Sequence, residues 1–439
     1  MAVVLILVMV VGLLLLPDYD GGQEESRQLA DYEIVHEVTG DQPEKLRVPT
    51  TVSEAAWVWE GAEDSVLQEV LPVPTGAVLH VNDGAVGLDT RNGEEVWSYR
   101  LLESEAEVAV SPDGSLVAVS AGGFLALLDS GTGEELRVIE HGEAGEGHLS
   151  LQEAGLVADE GLVMAGSRDP EGVIVSFDPW EGESGWHNED LECIDGSGNS
   201  HVEEGFLTPS GVVVVYRCGG ADPVMVSLDL ATGEEQWRLV QGQDFNGDYE
   251  HYDEPPDVRF APVGDVAVLQ NMGPLRGTVV IDTESGEVLS DTLPSETDNH
   301  LLRVLPDGYL AVRTEKIGEE DWEVRFEVRS FSGDVRSEVV TDDEDLGGTL
   351  SSQLPLKDSL LKLRWSEAEE NMEIAVFDWS GKGHGESITL PVEIDLSEVL
   401  SVVRSEYLVG PGTFQEAPGA VLLREYPNSG VAARVVGLN

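Results

Sequence analysis

Short, mostly apolar runs of five to seven residues recur through most of the chain, with turn-forming residues between them. They include AVLHV from Ala77, SLVAVS from Ser115, VVVVY from Val212, DVAVLQ from Asp265, YLAVR from Tyr309 and AVLLREY from Ala420. Runs this short, rich in Val and Leu and bounded by Gly, Pro and Asp, predict strands. Each follows a turn of its own: VPTG at 73–76, SPDG at 111–114, ADEG at 158–161, TPSG at 208–211, APVG at 261–264, LPDG at 305–308, LPLKD at 354–358 and APG at 417–419. These predict eight first hairpins.

A second series of turns alternates with the first. It reads DTRNGEEVW at 89–97, DSGTGEELR at 129–137, DLATGEEQW at 229–237 and DTESGEVLS at 282–290. DPWEGESGW at 178–186 is a looser copy, and FSGDV from Phe331 and DWSGK from Asp378 are shorter ones. An Asp closing one strand bonds the backbone of the turn, the Gly takes a positive φ, and the next strand opens on polar residues. The spacing of these aspartates, about 40 to 53 residues, fits units of four short strands, the blades of a propeller. The expected fold is therefore all-β: an eight-bladed β-propeller, with seven blades as the alternative, preceded by an N-terminal transmembrane helix. The strand AAWVWE at 55–60 precedes the first unit, and the last unit lacks an outer strand. Pairing 55–60 with 431–437 closes the ring and removes its free edges.

The phrases LDTRNGEEVW at 88–97, LDLATGEEQW at 228–237 and VIDTESGEVL at 280–289 resemble the PQQ-like repeats of quinoprotein-dehydrogenase-like propellers. The resemblance spans roughly 55–437. It implies structural roles for Asp89, Gly93, Trp97, Asp129, Gly133, Asp229, Gly233, Trp237, Asp282 and Gly286, with each Trp packed between neighbouring blades. Trp186 and Trp57 are candidates for the same place, whereas Arg137 and Ser290 stand where Trp is missing, so weaker joints are expected there. The family includes quinone-dependent alcohol dehydrogenases and a noncatalytic propeller of outer-membrane protein assembly. The enzymes hold quinone and calcium in the channel beside an adjacent-cysteine disulfide. Here the cysteines are 25 residues apart, and no cofactor stretch is recognisable. The resemblance thus implies a non-catalytic propeller with no cofactor.

Before the repeats, residues 2–16 are uninterruptedly apolar and are followed by Pro17 and the acidic run DYDGGQEE. Fifteen such residues barely span a bilayer; without a basic flank or a small-x-small site they are read as a membrane anchor, with a cleaved signal as the alternative. The domain reading is residues 1–17 as anchor or signal-like segment, 18–54 as an acidic tether with an edge strand around EIVHEV, and 55–439 as the propeller. The propeller is placed on the extracytoplasmic side of a cell membrane, single-pass and monomeric.

Charge narrows the partners. With 85 Asp and Glu against 24 Lys and Arg, the formal net charge is -61. Such a field repels nucleic acid and favours a basic partner. Outside the cytoplasm, the two cysteines, Cys193 and Cys218, are read as a disulfide. The densest oxygen-ligand stretch is DFNGDYEHYDE at 244–254, where Asp244, Asn246, Asp248 and Glu250 alternate as in the early part of a calcium loop. Tyr249 and Pro255 then replace the Gly and Glu that such a loop requires. Aromatic residues Phe245, Tyr249 and Tyr252 in the same loop are candidate partner contacts. No HExxH, GxSxG or phosphate-binding glycine loop occurs. The functional expectation is a membrane-anchored scaffold for a protein or cell-envelope partner; the alternatives are a PQQ-dependent oxidoreductase and a carbohydrate-active propeller.

Overall fold

The computed structural model describes residues 23–29, 32–39, 44–62, 65–102, 104–121, 124–140, 155–158, 161–165, 174–178, 180, 183–188, 200–208, 211–218, 224–240, 243–244, 258–271, 278–290, 293, 299–316, 322–341, 353–366, 371–379, 385–390, 414–425 and 433–439. They form an all-β propeller made of one six-stranded sheet and seven four-stranded sheets. Every pairing is antiparallel between sequence neighbours, apart from the two places where the N-terminal region joins in. In chain order, the first strands of the sheets begin at Leu67, Glu107, Gly155, Ser200, Val258, Asn299, Gln353 and Phe414. The eight turns expected to close first hairpins all join a first strand to a second. First strands touch across the joints between the second and third, third and fourth, fourth and fifth, seventh and last, and last and first sheets, which places them innermost around the ring axis.

The ring closes by pairing its two ends. Ala55–Glu60 lies against Arg434–Leu438, with Val58 opposite Val436 and Glu60 opposite Arg434. The last sheet thus takes three strands from the C-terminal end and its outer strand from before the first repeat. Backbone bonds from Ser53 and Glu54 to the carbonyl of Asn439 continue the closure at 2.7 and 3.0 Å. Hydrophobic clusters fill the gaps between sheets: Trp57, Leu79, Val86, Leu422 and Val435 bridge the last and first, and Val78, Trp97, Tyr99, Val117 and Leu128 bridge the first and second. Alternate residues of one strand enter different clusters because a strand presents its side chains to opposite faces.

The region read as an acidic tether departs from that reading in part. Gln23–Leu29 and Tyr32–Val38 form a hairpin that extends the first sheet, with Tyr32–Val38 pairing Trp97–Leu102. The expected edge strand around EIVHEV is there, and a further strand lies outside it. Ile34 explains the docking, since its side chain is fully buried against the first sheet's core. Among the described residues no helix is long and apolar enough to cross a membrane; the apolar run 2–16 lies outside them.

Candidate functional site

Repeated turns dominate one face of the ring. In the second sheet, the Asp129 carboxylate accepts from the amides of Gly131 and Thr132 and from the Thr132 hydroxyl at 2.8–3.1 Å. The Thr132 hydroxyl in turn accepts from the Glu134 amide, and Gly133 sits at φ 69°. Asp229 and Asp282 repeat the arrangement with Thr232 and Ser285. These bonds hold the Asp229 carboxyl below its ordinary pKa. At Asp89 the leading cause is instead the Arg91 guanidinium, which lowers its pKa.

The glycine of each turn has a second role. Trp97 of the first sheet lies over Gly133 of the second, so closely that a Cβ there would fall inside the indole ring's contact distance. Its indole N–H donates to the Ser130 carbonyl at 2.9 Å. Trp57, Trp186 and Trp237 do the same over Gly93, Gly233 and Gly286, donating to the carbonyls of Thr90, Leu230 and Thr283. Glycine is therefore needed here for its positive φ and to admit the indole.

Where this Trp is missing at Ser290, the aromatic group comes from the turn itself. Gly333 has open space around it, while Phe331 packs among Leu289, Leu301 and the buried Val304 and Tyr309. Trp379 acts similarly, packing on the cluster that holds Phe326 and Phe377 and donating to the Leu356 carbonyl at 2.8 Å. Sequence reasoning missed both residues. Their signal is an aromatic side chain directly after the residue that takes the place of the turn's Asp, in FSG and DWSG.

Ionisable groups cluster near the axis. Glu69 and Glu416 stand on the innermost strands of the first and last sheets, Arg303 on that of the sixth, and His80 and Arg424 on second strands. Burial raises the Glu69 carboxyl pKa, and the Arg424 charge opposes the rise. Burial likewise raises Glu416 and lowers Arg303, and each offsets the other's shift. Burial lowers His80, whose Nε2 lies 2.9 Å from the Ala106 carbonyl. An Arg424 Nη2 donates to the Leu67 carbonyl at 2.7 Å, tying the last sheet to the first. Each carboxylate thus has a guanidinium nearby, an arrangement that offsets the desolvation of both. These five residues were not among the sequence candidates. Arg303 could have been found as a single charge interrupting the apolar run LLRVL, and Arg424 as the charge that follows the apolar run AVLL.

Of the sequence candidates for a metal, only Asp244 lies among the described residues. Asp244 spends a carboxylate oxygen on the Val240 amide at 2.7 Å, and Asn246, Asp248 and Glu250 lie outside the described residues. No group of three or more His, Cys, Asp or Glu that could hold a metal ion occurs among the described residues. Cys218 ends the strand Gly211–Cys218 opposite Ser200, and Cys193 lies outside the described residues. So do the aromatic candidates Phe245, Tyr249 and Tyr252.

Residues 51–238 match the family model described as outer membrane protein assembly factor BamB. That stretch, 188 of the 439 residues, includes the turns at Asp89, Asp129 and Asp229. Among solved structures, the chain is similar to BamB from Moraxella catarrhalis at 14% identity, covering 87% of this chain and 97% of that one, with a TM-score of 0.41. It is similar to the dihydro-heme d1 dehydrogenase NirN in complex with DHE at 14% identity, 81% and 75% coverage and a TM-score of 0.43. It is also similar to the quinohemoprotein alcohol dehydrogenase from Comamonas testosteroni at 12% identity, 90% and 78% coverage and a TM-score of 0.40. No curated protein sequence matches the chain.

Proposed function

We propose that the protein is a membrane-anchored propeller, held on the extracytoplasmic side by residues 2–16, that presents its faces to a protein or cell-envelope partner. The ring in this reading counts the six-stranded sheet as one blade beside the seven four-stranded ones. The observation that carries the proposal is the match of residues 51–238 to an outer-membrane protein assembly factor, a protein named for assembly rather than for a reaction. The net charge of -61 favours a basic or mixed-charge partner, attracted over distance and weakened by salt. Chemical cross-linking in intact membranes of the native host, followed by mass spectrometry, tests this. The expected result is a small, reproducible set of envelope proteins joined to the propeller. Cross-links only to the most abundant membrane proteins, in proportion to their abundance, count against it.

A further inference from the structure

Among the described residues, the docked N-terminal hairpin gives the ring one edge unlike the others. Tyr32–Val38 pairs with Trp97–Leu102, and Gln23–Leu29 pairs with Tyr32–Val38 over its whole length without a register shift. The first sheet therefore has six strands where each other sheet has four. At about 4.8 Å per strand, its edge stands about 10 Å beyond the neighbouring outer strands.

The remaining edges are interrupted or short. In the second to sixth sheets and in the last, the outer strand slips register against its neighbour. The outer strand of the seventh, Glu386–Thr389, has only four residues. A slip of this kind bends an edge strand and breaks its row of backbone groups, which guards it against a further strand. Glu94–Leu102, the strand that accepted the hairpin, obeys the same rule. Its slip falls between Glu95 and Trp97, and the hairpin pairs only with the unbroken stretch from Trp97 onward. Gln23–Leu29 is thus a long, unslipped edge, about 24 Å at about 3.4 Å per residue. Among the described residues, no strand lies against its outer side.

The charges along this edge select the occupant. The register sets Glu24 level with the exposed Glu37 of the next strand, and like charges directly opposite each other are unfavourable. A Lys or Arg arriving opposite Glu24 on an added strand relieves that repulsion. A second copy of this chain is disfavoured, because each copy carries a net charge of -61.

We propose that Gln23–Leu29 is a docking edge for an extended, basic segment of a partner protein, which adds to the first sheet as a seventh strand. Main-chain hydrogen bonds supply the affinity, and Lys or Arg at alternate positions supplies the selectivity. The proposal rests on the reading of the ring as a partner-binding propeller and gives the place and chemistry of one contact.

Hydrogen exchange followed by mass spectrometry tests it on the full chain in a zwitterionic detergent. The probe is an end-blocked peptide of alternating Thr and Lys. Its comparison carries Pro at a central Thr position, which keeps the charge but removes a ladder donor. The expected result is that the Thr–Lys peptide slows amide exchange in 23–29 several-fold and the Pro peptide does not. Val335–Thr341, the outer strand of the sixth sheet, should exchange at an unchanged rate with either. Glu24→Lys should abolish the slowing. If that variant loosens the hairpin, seen as faster exchange in 32–38 without peptide, the two peptides on the unaltered chain still decide. No slowing, equal slowing by both peptides, or equal slowing in 335–341 overturns the proposal. Slowing that appears without peptide as the protein is concentrated, with a two-chain mass in sedimentation, assigns the edge to a second copy and also overturns it. None of these outcomes touches the partner reading, which the cross-linking experiment judges by itself.

Discussion

Removing one indole latch and its glycine together shows whether the latch is a direct inter-sheet contact. Trp97 is 1% exposed, so Trp97→Ala removes a full indole from the first joint. About 200 Å² of buried aromatic surface at about 25 cal/mol per Å² gives about 5 kcal/mol, or about 3–4.5 after allowing for a compact unfolded chain. Large-to-small core substitutions of this type fall in the same range, about 3–5 kcal/mol. Gly133→Ala is costly for two reasons: a positive φ, about 1–2 kcal/mol, and collision with the Trp97 ring, about 1–3 kcal/mol as overpacking. The collision disappears once the indole is gone. In the Trp97→Ala background, Gly133→Ala should therefore cost only the φ penalty, leaving a coupling of about 1–3 kcal/mol between the two substitutions. Urea unfolding of the four proteins, followed by circular dichroism and by the fluorescence of the remaining tryptophans, measures it. Costs that add to within about 0.5 kcal/mol would refute the direct contact.

Gly286→Ala and Gly333→Ala should differ sharply, although both glycines have positive φ. The first meets Trp237 at 2.8 Å and the second meets nothing within 4 Å, so Gly333→Ala should lower the melting temperature far less. Glu416 has a carboxyl pKa raised above 4.5 in the folded chain. A raised value contributes stability that is full below pH 4.5 and is lost as pH rises through the folded pKa. Glu416→Gln should thus gain relative to wild type as the urea midpoint is followed from pH 4 to pH 7. His80 is lowered below 6.5, so its contribution is full above that pH and lost as pH falls through the folded value; His80→Gln should flatten that acid-side loss. Mass spectrometry before and after reduction should find Cys193 and Cys218 joined in protein from the native host, and two free thiols would count against both the pairing and the extracytoplasmic placement.

The fold was legible because turns carry local chemistry. The Asp, Thr and Gly of DSGTGE make their bonds within six residues, and each first hairpin announces itself with Pro or Gly. Ring closure was legible for a different reason: Ala55–Glu60 was a strand left without a unit, and the last unit, ending in Arg434–Leu438, lacked its outer strand. The axial groups were not legible, because Arg303 and Glu416 lie 113 residues apart and only the ring brings them near each other. The replacement of the missing Trp at Ser290 by Phe331 was hidden similarly. The weaker joint expected there ignored an aromatic side chain delivered from the opposite side of the gap. The strand Gln23–Leu29 was read as tether because its sequence, QEESRQL, has no apolar alternation; its pairing comes from Tyr32–Val38, where Ile34 supplies the buried anchor.

The central claim is that this ring serves to bind a protein or cell-envelope partner, and binding by the purified propeller tests it most directly. A partner found by cross-linking is titrated into the full chain by calorimetry at increasing salt, beside a parallel titration with PQQ and calcium. The account predicts saturable one-to-one binding of the partner, with a Kd that weakens steadily as salt screens the -61 charge. Stoichiometric uptake of PQQ and calcium with turnover of an alcohol or sugar, and no heat from any cross-linked protein, would contradict it.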